Sequence, residues 1–186
     1  MRIYALICVV LFACIHSIGM GQEACLNDEE VKLYQLITEY RKSKGLPKIP
    51  LSTSLTVVAK AHVQDLEHND PSHGRCNLHS WSKKGLWSAC CYTDNHAKAE
   101  CMWNKPKELT SYKSAGYEIA VGGGHVDAEI ALDAWKKSPG HNQVIINRAN
   151  WKKIKWNAIG IAVDERYSVV WFGEAADKAG PPAQCK

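Results

Sequence analysis

Hydrophobic side chains recur every three or four residues along two stretches of the first half of the chain, which is the spacing of one buried helix face. The first stretch predicts a helix over 28–44, and Asn27 followed three residues later by Glu30 is typical of a capping box at its start. The second stretch predicts a helix over 54–68. His62 falls on the apolar face of this second helix, where a lone histidine is more often a hydrogen-bonded core residue than a ligand.

Beyond the second helix the pattern is irregular from Pro71 to Gly116. Irregular segments of this length in compact domains are usually functional or held by covalent links, and this one carries four cysteines. Three consecutive glycines at 122–124 predict a flexible connection rather than a phosphate loop, because the strand and lysine of that motif are absent. A third helix is predicted over 126–137, followed by a short helical or irregular segment over 141–147.

The chain closes with two apolar runs, 158–164 and 167–172, joined by a tight turn at 165–166, and this pattern predicts a β-hairpin. The first run is apolar at both its odd and its even positions. A sheet with two apolar faces is covered by helices on both sides. The sequence therefore predicts an α/β fold, a three-layer α-β-α sandwich.

The first 21 residues predict a secretory signal peptide. Arg2 precedes an apolar run over 3–15, and small residues follow at Gly19 and Gly21. The run is shorter than the about 20 apolar residues that a membrane-spanning helix needs. We therefore expect a secreted, extracellular protein with no membrane span.

Cysteine content agrees with secretion. An even number of cysteines remains beyond the signal peptide, which in an exported protein predicts disulfides. A cysteine zinc site is disfavoured, because no C-x-x-C pair occurs and two of the cysteines are adjacent. Several pairings remain open from the sequence, and the last cysteine is expected to tie down the C-terminal tail. The six residues are Cys25, Cys76, Cys90, Cys91, Cys101 and Cys185.

Net charge gives little indication of a partner. Without Arg2 the chain has 22 basic and 19 acidic side chains, a net charge of +3. Lysines mixed with tryptophans at 151–156 are one pattern of nucleic-acid binding. In a secreted, disulfide-rich domain we favour a solvated rim over packed tryptophans, and we expect no nucleic-acid partner. No N-x-[ST] sequon occurs, so N-glycosylation is not expected.

Three polar residues stand in apolar or glycine-rich surroundings: His79 in NLHSW, Glu118 in GYEIA and His141 after SPG. Two histidines and a carboxylate are a ligand set for zinc and also a set for general acid-base catalysis. The three residues are far apart in the sequence, and neither H-E-x-x-H nor G-x-S-x-G is present. Spacing alone therefore does not identify their chemistry.

Taken together, these segments resemble the CAP superfamily (SCP domain) of cysteine-rich secretory proteins, antigen 5 and plant pathogenesis-related protein 1. SPGHNQVIIN is similar to the signature of the bacterial-type branch, GYEIA to the G-E-N-(I/L)-A motif, and AIGIAVD with YSVVWFGE to the last hairpin. The resemblance implies a disulfide-stapled CAP domain over 26–178. The signal peptide at 1–21 precedes it, and a short tail at 179–186 with Cys185 follows it.

In the family, two histidines and two glutamates line a cleft that binds a divalent ion such as zinc in several members. By resemblance, His79 and His141 match the histidines and Glu118 matches the first glutamate. These three residues are the implied metal site for zinc or another divalent ion. The alternative is that they form a buried, hydrogen-bonded cluster that braces the cleft.

The second glutamate of the family is missing from its usual place. In the family, this glutamate lies three residues after the tryptophan of the third helix. In this chain that tryptophan is Trp135, and the residue three positions later is Ser138. Glu129 and Asp133 lie earlier on the same helix and do not match the motif. We therefore expect weak metal binding, with the two histidines as nitrogen ligands.

The resemblance implies three functions. The preferred one is a non-enzymatic extracellular binding module for a lipid or sterol, a glycan or a protein. In it, Trp81, Trp87 and Trp103 of the long loop are either recognition groups or packing beneath that loop. The second is a divalent-metal-dependent hydrolase or protease with Glu118 as catalytic general base, which is less favoured. The third is a structural or defence-related extracellular protein.

Overall fold

A computed structural model describes residues 24–186, and the predicted signal peptide lies outside this range. No helix within the described range is long and apolar enough to cross a bilayer. The elements, in chain order, are α1 (Asp28–Ser43), α2 (Thr53–Asn69), α3 (Glu100–Trp103), α4 (Lys105–Leu109), β1 (Gly116–Gly122), α5 (Ala128–Lys137), α6 (Pro139–Ile145), a 3-10 turn (Ala149–Trp151), β2 (Ala158–Val163) and β3 (Tyr167–Gly173).

The two predicted N-terminal helices are confirmed, and side chains determine where they begin. The Asn27 side chain accepts a hydrogen bond from the Glu30 N–H at 2.9 Å, and the Glu30 carboxylate accepts one from the Asn27 N–H at 2.8 Å. This reciprocal pair is the predicted capping box. Helix α2 begins one residue before its predicted start, because the Ser52 hydroxyl caps it by accepting from the Leu55 N–H at 3.0 Å.

The sheet has three antiparallel strands in the order β1-β3-β2. The predicted β2–β3 hairpin is confirmed, whereas β1 is a strand that the sequence pattern does not indicate. Glycines at both ends of β1 have low strand propensity. They are required here by close packing, since a Cβ on Gly116 would lie 2.8 Å from the Trp171 ring and one on Gly122 would lie 2.0 Å from the Tyr167 ring. Pairing with β3 along its whole length makes this segment a strand.

Helices cover both faces of the sheet, which confirms the three-layer sandwich. Helix α2 packs on one face against β2 and β3, while α1 and α5 cover the other face. The approach of α2 is so close that a Cβ on Gly160 would lie 2.1 Å from the backbone carbon of Leu55. Helix α2 therefore rests directly on the backbone of β2.

Three disulfides staple the part of the chain that the structure describes. Cys76 bonds to Cys91 and Cys90 to Cys101, so the two adjacent cysteines are linked in opposite directions along the long irregular segment. That segment also contains the short helices α3 and α4, which were not predicted. Cys185 bonds to Cys25, and this link ties down the C-terminal tail as expected.

The loop tryptophans are mainly packing residues. Trp81 is 2% exposed and its ring packs edge-on against Trp87, with centroids 5.0 Å apart. Trp87 and Trp103 are half-buried against the same hydrophobic cluster. The interpretation of Trp81 as packing beneath the loop is confirmed, and the other two keep part of their surface exposed.

Candidate functional site

The side chain of Glu118 lies at the centre of the candidate site. It is the third residue of β1, and the alternation of the strand turns it with Ala120 toward α2, while Ile119 packs in the opposite hydrophobic cluster. The Glu118 side chain is fully buried. A buried carboxylate requires hydrogen-bond donors, and two histidines supply them.

The first of these donors is His62 of α2, whose Nδ1 hydrogen-bonds Oε2 of Glu118. Nε2 of His62 lies 2.9 Å from the carbonyl oxygen of Ser80, which can only accept, so this nitrogen donates. The ring also stacks on Trp81, with centroids 4.3 Å apart and planes 9° apart. The prediction that His62 is a hydrogen-bonded core residue is confirmed.

Sequence reasoning nevertheless missed that the partner of His62 is Glu118. The available signal was the position of a histidine on the buried face of α2, because such a ring needs a polar partner from another element. Helical periodicity gives no information about which element that is. His62 therefore belongs to the cluster as the link between α2 and β1.

The second donor is His79 in the long loop, whose Nδ1 lies 2.7 Å from Oε1 of Glu118. Its backbone N–H donates to Oδ1 of Asn77 at 3.1 Å. His79 is thus held by both its backbone and its ring, and the side chain keeps 16% of its surface exposed. Nε2, its other ring nitrogen, has no hydrogen-bond partner among residues 24–186.

His141 completes the set from the first turn of α6. Its ring centroid is 6.1 Å from that of His79, and the two planes are inclined at 68°. Ser138 joins α5 to α6 in an extended conformation with φ −90° and ψ 111°, and this turn directs the chain toward the cluster. The structure therefore brings His79, Glu118 and His141 together, and it adds His62.

The electrostatics of the cluster favour an ionised carboxylate and a neutral His141. Burial by itself would raise the pKa of Glu118, but the charge and hydrogen bond of His62 and the hydrogen bond of His79 outweigh it and hold the pKa below its usual value. Burial is the main cause that lowers the pKa of His141 to about 4, and the charge of His79 adds to it. The Glu118 charge opposes this shift only in part.

Tyr92 is a further neighbour that sequence reasoning missed. Its ring packs edge-on against His79 at 5.2 Å, and its hydroxyl lies 2.9 Å from Nδ1 of His96. Burial, followed by the charge of Glu118, raises the pKa of Tyr92, so the phenol stays protonated. Tyr92 therefore packs against one side of the cluster as an uncharged side chain.

Of the three residues implied as ligands, Glu118 is the one already fully engaged within the cluster. Both Glu118 oxygens are engaged by histidines, and a carboxylate behind a histidine is the usual orienting partner of a metal-bound imidazole. Two imidazoles that share a zinc ion have ring centroids about 5–6 Å apart, given ordinary zinc–nitrogen distances. Within residues 24–186, no group of three or more histidine, cysteine or acidic side chains has the geometry to hold a metal.

Comparison with known proteins identifies the family. The model of the cysteine-rich secretory protein family, CAP, matches residues 34–172, which is more than half of the chain. No curated protein matches. Among solved structures, an outer surface protein of Borrelia burgdorferi is similar at 21% identity with a TM-score of 0.54, over 79% of this chain and 93% of that protein.

Two longer proteins also share the fold. A cysteine-rich secretory protein of Staphylococcus aureus has a TM-score of 0.52, and an extracellular SCP-domain protein of Bacillus anthracis has a TM-score of 0.55. Each is 16% identical over 79% of this chain, and the chain spans 39% and 40% of their lengths. At these identities the likeness shows the fold alone, and the bacterial-type branch stays a prediction.

Proposed function

Because the chain belongs to the cysteine-rich secretory protein (CAP) family, we propose that it is a non-enzymatic extracellular binding module in which His79 and His141 contact a ligand. The observation that carries this proposal is the engagement of Glu118. Both of its carboxylate oxygens accept hydrogen bonds from histidines, and its side chain is fully buried. A general base must reach the proton that it removes, and the Glu118 carboxylate is buried with both oxygens already hydrogen-bonded. Glu118 therefore acts as a structural brace.

The cysteines also support a non-enzymatic role. All six cysteines within residues 24–186 are in disulfides, so no cysteine thiolate is available there as a nucleophile. The brace ties α2, the long loop and β1 together through one carboxylate. The edges of His79 and His141 are then the polar groups that this cluster offers to a ligand.

The same pair is the proposed site for a weakly held divalent ion. His141 with a pKa of about 4 is a neutral imidazole at physiological pH, which is the state that binds a metal. Glu118 orients His79 from behind. A zinc ion held there would supply Lewis acidity, and this chemistry is what favours a divalent-metal-dependent hydrolase as the alternative function.

Zinc titration by calorimetry, combined with a hydrolysis panel, tests the proposal. We expect weak zinc binding by the purified protein, lost in His79→Ala/His141→Ala and kept in the matched control His68→Ala/His73→Ala, which removes two exposed histidines. We expect no turnover of peptides or esters with or without zinc. Zinc-dependent turnover that the site variant abolishes would establish the hydrolase instead, and zinc binding unaffected by that variant would eliminate the histidine pair as the metal site.

The class of ligand is tested separately. The protein is incubated with a lipid extract, a glycan array and extracellular matrix proteins, and retained material is compared between wild type and the site variant. Retention that depends on His79 and His141 supports the binding module. Retention of nothing from all three sources would favour a purely structural role.

A further inference from the structure

Pairs of adjacent basic residues occur within residues 24–186 at 41–42, 83–84, 136–137 and 152–153. Three of these pairs are held by local backbone hydrogen bonds. The first lies in α1 and the third in α5. In the last, the Lys152 N–H donates to the carbonyl oxygen of Ala149 at 3.2 Å. The pair at 83–84 differs, because it lies in the long irregular segment outside any helix or strand.

The segment around this pair, residues 83–87, is here called the tip. No backbone N–H or C=O group of the tip has a backbone partner in the described chain. Lys83 and Lys84 are exposed, and the side chain of Leu86 is 80% exposed. Exposed loop tips are the preferred sites of proteolytic nicking, because little structure has to open before a protease binds them.

Packing inside the tip leaves its lysines at the surface. The ring of Trp87 occupies the space beside Gly85, where an added Cβ would lie 2.1 Å from that ring. Nε1 of Trp87 donates to the carbonyl oxygen of Ser82 at 3.1 Å. The tryptophan thus fills the inside of the bend, and the Lys84 side chain is free to enter the pocket of another protein.

A single lysine, Lys113, also lies outside the helices and strands and has no backbone hydrogen bond through its own N–H. Its neighbour Tyr112 is 3% exposed, and the Tyr112 hydroxyl donates to the carbonyl oxygen of Ala175. A protease would have to extract this ring in order to bind the backbone on both sides of Lys113. Accessibility therefore favours the tip.

Both ends of the tip are anchored. Before it, the Asp65 carboxylate of α2 accepts hydrogen bonds from the Ser82 N–H at 2.7 Å and from the Ser82 hydroxyl. After it, the Ser88 N–H donates to Glu108, and the Ser88 carbonyl oxygen accepts from the buried Lys105 of α4. A break between these anchors leaves the flanking backbone in place.

We propose that the Lys84–Gly85 peptide bond is a site of limited cleavage by a serine protease specific for basic residues, and that the product is a folded two-chain protein. In such a protease a carboxylate in the specificity pocket binds the lysine side chain. The bond between the Lys84 carbonyl carbon and the Gly85 nitrogen breaks, and one water molecule is consumed. Lys84 gains a carboxylate, and Gly85 gains an ammonium group.

Two disulfides hold the product together. Cys25 and Cys76 lie before the cut, and their partners Cys185 and Cys91 lie after it. Separation of the two chains therefore requires reduction of both links. Disulfides are typical of an oxidising, extracellular environment, so the product is stable where such a protease would meet it.

The cut also divides the histidine cluster between the two chains. His79 stays in the first chain and Glu118 in the second, so their hydrogen bond becomes a contact between chains. No hydrogen bond of the cluster involves the tip. The two-chain form should therefore keep the cooperative unfolding of the intact protein in urea.

Limited digestion of the folded protein with trypsin tests the proposal. The first product should have the intact mass plus one water before reduction. After reduction it should separate into two chains, the second of which begins at Gly85. Lys83→Gln/Lys84→Gln should slow the first cut at least about tenfold, because cleavage at the other basic pairs requires local unfolding. Lys83→Gln alone keeps Lys84 and should be cut at the same bond as wild type.

The matched control is Lys152→Gln/Lys153→Gln, which removes the same charge from another exposed pair and should be cut as fast as wild type. A first cut at any other bond, or an unchanged rate in Lys83→Gln/Lys84→Gln, would overturn the assignment of the site. Loss of cooperative urea unfolding in the unreduced product would overturn the two-chain form. Mass and N-terminal sequence report the cut whether or not the histidine cluster binds a ligand, so failure here is distinct from failure of the proposed function.

Discussion

Glu118 on β1 and His62 on α2 form a hydrogen-bonded pair whose two side chains are completely buried. The pair joins β1, an edge strand of the sheet, to the helix that covers one of the sheet's faces. Because His79 binds the second oxygen of the same carboxylate, the long loop is attached at the same point. One side chain thus couples three elements, and its removal should affect stability as well as binding.

Glu118→Gln tests this coupling. The amide keeps the shape of the carboxylate but loses its charge, and one of its two terminal atoms becomes a donor that faces a histidine nitrogen. We expect the free energy of unfolding to fall by about 2–4 kcal/mol, as for other broken buried pairs. Urea denaturation measures it. Glu39→Gln, at an exposed position, should change stability by less than about 0.5 kcal/mol, and equal effects of the two variants would contradict the brace.

His141 should make stability depend on pH. The pKa of His141 is about 4 in the folded protein, whereas the ordinary value of a histidine, which applies to the unfolded chain, is 6.5. Between these two values the unfolded chain binds more protons than the folded chain, so the free energy of unfolding is highest above pH 6.5 and falls as the pH drops toward 4. The contribution is on the order of 3 kcal/mol.

Urea denaturation at intervals from pH 4 to pH 7 checks this dependence. His141→Gln should flatten the pH dependence in this window, whereas the same change at the exposed His73 should leave it as in wild type. A wild-type pH dependence that survives in His141→Gln would show that this imidazole is not the group responsible.

Gly160→Ala tests the contact between α2 and β2. The new Cβ would lie 2.1 Å from the backbone carbon of Leu55, where no flexible side chain can move aside. We expect a loss of about 3 kcal/mol in the free energy of unfolding from overpacking. Gly124→Ala is the matched control, since nothing lies within 4 Å of its added Cβ, and it should stay within about 0.5 kcal/mol of wild type.

The disulfides should differ in their contributions. Cys25 and Cys185 are 160 residues apart in sequence, whereas Cys76 and Cys91 are 15 apart. A longer closed loop restricts the unfolded chain more, so Cys25→Ser/Cys185→Ser should cost about 5 kcal/mol and Cys76→Ser/Cys91→Ser about 3 kcal/mol. Denaturation of the two double variants under oxidising conditions compares them, and a larger loss from the shorter loop would contradict the entropic account.

The sequence by itself determined the longer helices, the closing hairpin and the family resemblance. The period of apolar residues predicted α1, α2 and the hairpin of β2 and β3, because helix and strand periodicity depend on neighbours along the chain. Short motifs around His79, Glu118 and His141 were sufficient to indicate the CAP resemblance, which the family match confirms. Their common location in one cluster followed from that resemblance and not from their spacing.

Only the tertiary structure decided how distant segments pair. Strand β1 exists because β3 supplies its hydrogen bonds, and the alternate connection of Cys90 and Cys91 depends on the path of the long loop. His62 and Glu118 are 56 residues apart, so no local pattern relates them. A buried carboxylate takes whichever donors the packed elements bring within reach, and that selection is a property of three-dimensional contact rather than of sequence order.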